Sequence, residues 1–209
     1  MPVLNKIAFF QNRQDEVPNQ ELAQALAQSR SQADIREIAE GLWNKEPNIQ
    51  SDCLKVLYEL GYLAPGLIAA YAGDFLKLLK HRNNRMVWGG MIALSTVADL
   101  KAAEIFPHVD EIIQVMNKGS VITMDNGIKA MALVASQKDE YRKAIFPYLL
   151  DHLKNCRPKE VPQHAEKSLP AVTTGNKSDF IQVLDKRLED MSASQAVRLK
   201  KIIKAAEKR

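Results

Sequence analysis

Cysteine is scarce in this chain, with two in 209 residues, Cys53 and Cys156. Both fall inside apolar helical patterns, and they lie more than two repeat units apart. That placement argues against a disulfide between them and reads as two buried thiols in a reducing compartment. Glycine and proline number nine each, too few for a long low-complexity segment. Runs of β-branched residues alternating at period two are missing, so no sheet is expected. Long apolar runs are missing as well. The longest uncharged stretches, residues 60–73 and 86–98, fall well short of the roughly 20 residues a membrane span needs. The opening MPVLNKIAFFQNRQDE has neither the basic start nor the apolar run of a signal peptide. A soluble, cytoplasmic protein with no membrane association is the expectation.

What is present is helical. The chain is 46% hydrophobic and 26% charged, an ordinary globular balance, and it is rich in Leu, Ala, Lys, Glu and Gln. It also repeats. Leu57 in VLYELG, Leu94 in IALSTVA and Leu133 in MALVAS end matching helices 37 and 39 residues apart. Downstream, Ile68-Ala-Ala-Tyr71, Ile105-Phe-Pro-His108 and Ile145-Phe-Pro-Tyr148 follow at steps of 37 and 40. Two helices per period near 40 residues mean stacked helical hairpins, since one hairpin cannot bury its own apolar face.

Apolar periodicity and caps place the helices. First helices are expected near 31–44, 65–80, 101–117, 140–155 and 177–190, and second helices near 46–61, 83–98, 120–136, 158–172 and 194–208. Pro18, Asn19 and Glu21 mark an earlier helix start. Asn83 and Asn84 form a turn and an N-cap, and Gly61 stands where a C-terminal cap belongs. Pro162 and Pro170 interrupt the segment 158–172. Gly89-Gly90 falls mid-helix, where small residues permit close packing.

This pattern resembles the HEAT-repeat superfamily, strongly over residues 31–190 and weakly at both ends. Pro107 and Pro147 look like the proline often found in the first helix of that family's unit. The Arg often found one turn into the second helix is replaced here by Gln50, Val87, Asn126 and Pro162. The resemblance implies an all-α, right-handed α-α superhelix of about five hairpins. Residues 1–30 would form N-terminal capping helices, 31–190 the repeats and 191–209 a basic C-terminal capping helix. The resemblance also implies a non-enzymatic scaffold whose second helices present a concave surface to a protein or peptide partner.

The inventory of catalytic chemistry is thin. His164-Ala-Glu166 matches half of a zinc-deaminase signature without its Pro-Cys-x-x-Cys half. His81, His108, His152 and His164 form no His-Glu-x-x-His and have no cysteine-rich neighbours, so no metal or cofactor is expected. There is no phosphate-binding glycine loop and no nucleophile elbow. The HEAT-like alkylpurine DNA glycosylases resemble this chain in their helical repeats, but their Trp-Asp motif is absent. Trp88 precedes Gly89 and Trp43 precedes Asn44, so no catalytic residue carries over.

Charge is uneven. Residues 1–140 hold 14 Lys and Arg against 17 Asp and Glu, a net −3, whereas residues 141–209 hold 15 against 8, a net +7. Basic clusters at Lys77, Lys80, His81, Arg82 and Arg85, and at Arg142, Lys143, Lys154, Arg157 and Lys159, make nucleic acid the alternative partner. Lys and Arg also gather at helix C-termini to suit the dipole. Asp74, Glu111 and Asp151 recur at one position of successive first helices. The candidate partner-binding residues are Asn84, Arg85, Trp88, Ser95, Arg157 and Lys159. Lys200, Lys201 and Lys204 on the last helix form a candidate basic patch.

Overall fold

At Ser31, Glu46 and Asn83 a side-chain cap and an apolar stripe coincide, and a helix begins at each. In a computed structural model, which describes residues 2–209, the described residues are helical and contain no strand. They divide into two compact units, residues 1–127 and 128–209.

The first unit opens with a 3₁₀ turn, Val3–Lys6, and continues with α1 (Val17–Ser29), α2 (Gln32–Glu40), α3 (Pro47–Leu63), α4 (Ala72–Leu78), α5 (Asn84–Val97), α6 (Ala102–Ile105) and α7 (Val109–Lys118). The start of α8 (Val121–Gln137) completes it. Pro47 occupies the first turn of α3, where a missing N–H costs nothing, and Glu46 accepts a hydrogen bond from Asn48 N at 3.1 Å. Asn83 Oδ1 accepts from Arg85 N at 2.9 Å, the N-cap expected for α5.

Two glycines decide how closely these helices approach. A Cβ on Gly89 would lie 2.6 Å from Leu54 Cδ2, and one on Gly90 would lie 2.9 Å from Leu78 Cβ. The close packing expected of this pair is therefore present, with α3 against one glycine and α4 against the other. Gly61 corrects an expectation. It does not cap α3, which runs on to Leu63. A Cβ there would overlap Thr96 Oγ1, so the glycine is needed for the approach of α3 to α5. Leu54, Leu57 and Leu60 of α3, Phe75 and Leu78 of α4, and Met91, Leu94 and Val97 of α5 form the buried centre.

The N-terminal segment is fastened by one buried amide. Asn19, 1% exposed, accepts from Ala8 N at 2.9 Å and donates to Asp52 Oδ1 at 2.9 Å. Asp52 Oδ2 in turn accepts from Phe9 N at 2.8 Å. A buried polar side chain is tolerated when partnered in this way.

The second unit holds the remainder of α8, then α9 (Asp139–Asn155), α10 (Val161–Ser168), α11 (Lys177–Arg187) and α12 (Ala193–Glu207). Segment 158–172 is broken as its prolines predict, with 3₁₀ turns Pro158–Glu160 and Leu169–Ala171 flanking the short α10. Pro107 sits in a 3₁₀ turn that splits α6 from α7, while Pro147 stays within a continuous α9. Ile145 and Leu149 of α9, Val161 and Ala165 of α10, Phe180 and Leu184 of α11, and Leu199 and Ile202 of α12 are buried. Both cysteines are free, Cys53 buried and Cys156 half-buried. No helix of the described residues is long and apolar enough to cross a membrane.

Candidate functional site

Lys55 is the residue from which the site is built. It lies on the apolar face of α3 and is only 6% exposed, an unusual place for an ammonium group. Its Nζ pairs with Glu16 at 2.8 Å and with Glu59 at 2.7 Å, and it sits 4.9 Å from the centre of the Tyr58 ring. Burial pulls the Lys55 pKa down, but the hydrogen bonds to the two carboxylates outweigh it and hold the group above its ordinary range. Glu16 is shared, since its other oxygen lies 3.5 Å from Arg85 Nη2.

Around this ion cluster stand three aromatic rings. Tyr58 is 6.5 Å from Trp88 and 6.3 Å from Tyr62, centre to centre, in tilted and edge-on arrangements. Tyr58 is 7% exposed, Trp88 half-buried and Tyr62 52% exposed. Burial raises the phenol pKa of both tyrosines, keeping them neutral hydrogen-bonding groups. At the Arg85 end the face opens into a cavity of about 560 Å³, lined by Phe9, Arg13, Asp15, Glu16 and Asp52 among others. Phe9 and Phe10 meet edge to face at 5.2 Å and stay partly exposed.

The contact between neighbouring second helices recurs. Tyr58 and Ser95 each follow a repeat leucine, Leu57 and Leu94. Tyr58 meets Trp88 of α5, and Ser95 meets Asn126 of α8, with Ser95 Oγ 3.4 Å from Asn126 Oδ1. The first pair is aromatic, with Tyr58 buried and Trp88 half-buried, while the second is polar, with Ser95 buried and Asn126 half-buried.

The expected partner-binding residues are therefore only partly brought together. Arg85 and Trp88 share one face of α5, Arg85 joining the ion cluster through Glu16 and Trp88 the aromatic cluster through Tyr58. Asn84 is exposed but lines a separate groove of about 440 Å³ with Val87, Lys80 and Glu111. Ser95 leaves the set, because it is 0% exposed and its hydroxyl donates to Ile92 O at 2.8 Å. Arg157 and Lys159 are exposed in the second unit, and Arg157 is paired with Glu160. Lys200, Lys201 and Lys204 are exposed along α12.

Much of the remaining basic charge is balanced locally. Lys77 pairs with Asp74 at 3.1 Å, Lys80 with Glu111 at 3.1 Å, Arg142 with Asp139 and Arg198 with Glu166. The acidic column thus supplies partners to neighbouring lysines at two of its positions. At the third, Asp151 Oδ1 accepts from Asn155 Nδ2 at 3.1 Å.

Sequence reasoning missed Lys55 and Tyr58. The available signal was a lone charge inside the apolar stretch Cys53–Leu57. It also missed Arg187, 8% exposed, which donates to the carbonyls of Leu153, Lys154 and Cys156 at 2.6–2.9 Å and pairs with Asp190 at 3.0 Å.

No protein-family model matches the chain, and neither does any curated protein sequence. Solved structures do resemble it in fold. An engineered protein superposes with a TM-score of 0.68 at 16% identity, over 100% of this chain and 98% of its own. A designed armadillo repeat protein in complex with the peptide (KR)4 gives a TM-score of 0.67 at 12% identity, over 90% of this chain and 85% of its own. A second designed armadillo repeat protein gives 0.63 at 11% identity, over 98% of each chain. The fold is a helical repeat of the armadillo type.

Proposed function

We propose that this chain is a non-enzymatic binding scaffold and that α3 and α5 hold an extended peptide. The reading is carried by the row Tyr62, Tyr58 and Trp88, backed by the ion cluster Glu16–Lys55–Glu59. Tyr and Trp provide wide contact area at low conformational cost, and a cluster locked by ion pairs is organised before the ligand arrives. Around the cavity Asp15, Glu16 and Asp52 stand against Arg13 and Arg85, three carboxylates to two guanidiniums, a slight acidic excess that suits basic side chains. The designed armadillo repeat protein seen with (KR)4 supports the same class of ligand. On this reading the units are HEAT-like and the protein works in the reducing cytoplasm.

A Trp43→Phe background leaves Trp88 as the only tryptophan. Titration with (KR)4 is expected to shift Trp88 emission, and an acidic peptide of equal length is expected to leave it unchanged. By calorimetry, Tyr62→Ala should weaken (KR)4 about tenfold, the loss of one interface anchor. Binding unchanged by both Tyr62→Ala and Trp88→Phe, or equal binding of both peptides, would overturn the proposal.

The exposed Lys200, Lys201 and Lys204 favour a second reading, a surface for nucleic-acid phosphates. Duplex affinity should then fall steeply with salt and drop when the three are changed to Gln. The absence of duplex binding at low salt sinks it.

A further inference from the structure

Folding of the second unit gathers residues that the sequence keeps apart. His152 lies in the last turn of α9, Cys156 is that helix's C-cap residue, and His164 projects from α10. One ligand-type atom from each, two ring nitrogens and the sulfur, all lie within 4.8 Å of one another. His152 Nε2 and His164 Nδ1 share a hydrogen bond of 2.8 Å, with ring centres 4.9 Å apart. His164 is 1% exposed, and the other two are half-buried.

The frame around these atoms is stiff. Cys156 N donates to His152 O at 2.8 Å, fixing the Cys156 backbone one turn beyond the first imidazole. Arg187 grips the carbonyls of Leu153, Lys154 and Cys156. Tyr148 stacks on His152 with ring planes 26° apart. Ser168 Oγ donates to His164 O at 2.8 Å, one turn along α10.

We propose that His152, Cys156 and His164 form a three-ligand site for a borderline-soft transition-metal cation of the zinc class. Imidazole and thiolate are the donors such ions prefer over calcium or magnesium. Tetrahedral zinc bonds of 2.0–2.3 Å require about 3.3 Å between two nitrogens and about 3.6 Å between nitrogen and sulfur. The imidazole pair needs to open by about half an ångström from its hydrogen-bonded spacing, and the sulfur needs to close by about an ångström at most. Rotation of side chains covers both, since Cys156 has extended backbone outside the helix. Glu160 lies near both His164 and Cys156, and Arg187 lies near Cys156. The fourth position stays open to water or another ligand.

The protons balance simply. The metal takes both nitrogen lone pairs that face each other, so the imidazole that donated moves its proton to its other ring nitrogen. The thiol proton leaves to solvent as the sulfur–metal bond forms, and about one proton is released per ion bound. The bound ion then joins the end of α9 to α10 across the turn at Pro158 between them.

The test uses the full chain, free of any histidine tag, with Zn²⁺ and Co²⁺ as probes. Calorimetry in buffers of different ionisation heat is expected to show one Zn²⁺ bound and about one proton released. Co²⁺ should give the intense visible bands of a tetrahedral site and a thiolate-to-cobalt charge-transfer band. Cys156→Ser and His152→Gln, both at half-buried positions and checked by circular dichroism, should each weaken binding at least 100-fold and remove the charge-transfer band. Cys53→Ser should leave both intact. The absence of stoichiometric binding, weak octahedral cobalt bands, or binding retained in Cys156→Ser would overturn the proposal.

Discussion

Arg187 shows how much one side chain can hold. Its guanidinium satisfies carbonyls at the end of α9, groups that a helix leaves unpaired, from a position on α11. Planar, multidentate donation of this kind is beyond lysine. Arg187→Met is expected to cost on the order of 3 kcal/mol, because buried acceptors lose their donor. Arg187→Lys should recover only part of that, and chemical denaturation reads both. Nothing local in the sequence announces this role, since the carbonyls lie 31–34 residues away and become partners only once α11 packs on α9.

Lys55 carries a pH signature at the same scale. Its raised pKa means that its stabilisation is intact below the ordinary lysine value of 10.5 and fades as pH climbs through the folded value. The Tm difference between the wild type and Lys55→Met should therefore hold steady up to about pH 10 and shrink above it. Cys53 offers a companion reading. Burial first, then the charges of Asp52 and Glu37, push its thiol up to about 12. Thiol reagents at neutral pH should leave Cys53 unmodified in the folded protein.

Helices were legible in the sequence where apolar spacing and caps agree, as at Pro47, Asn83 and the broken segment 158–172. Prolines and glycines were harder, because their effect depends on what packs against them. Pro107 breaks its helix and Pro147 does not, although both stand in an Ile-Phe-Pro block. Gly61 reads as a cap and acts as a spacer. The two spacer glycines should respond differently to a methyl group. At Gly61 the obstacle is Thr96 Oγ1, whose hydroxyl is tied to Ala93 O at 2.7 Å. At Gly89 it is the tip of Leu54, which can turn aside. Gly61→Ala is expected to lose about 1–3 kcal/mol through overpacking. Gly89→Ala should lose less, since the tip of Leu54 gives way there, while helix propensity returns up to about 1 kcal/mol at either site. Thermal melts of the two variants rank them.

At the scale of the whole molecule, stability in a helical-repeat fold is close to a sum of local and nearest-neighbour terms. A cavity at Leu57, 0% exposed on α3, should be felt first by the helices that touch it. Leu57→Ala is expected to cost about 2–5 kcal/mol, with hydrogen exchange quickening most in α1, α3 and α5. The period near 40 residues made the repeat readable from sequence, because every unit must present its apolar face in the same register. The candidate site was less readable. Its parts, Glu16, Lys55, Tyr58 and Arg85, come from two helices, α3 and α5, and the residue before α1, and no repeat spacing joins them.

The recurring meeting of neighbouring second helices bears on how such a surface can vary. Tyr58 and Ser95 occupy corresponding positions, yet Tyr58 meets the Trp88 ring and Ser95 is hydrogen-bonded to Asn126, which is equivalent to Val87 rather than to Trp88. A position that accepts either kind of neighbour lets one stretch of the surface change what it attracts while the backbone stays as it was. Likeness of shape needs little likeness of sequence in such a fold, as identities of 11–16% beside TM-scores of 0.63–0.68 to engineered and designed proteins show.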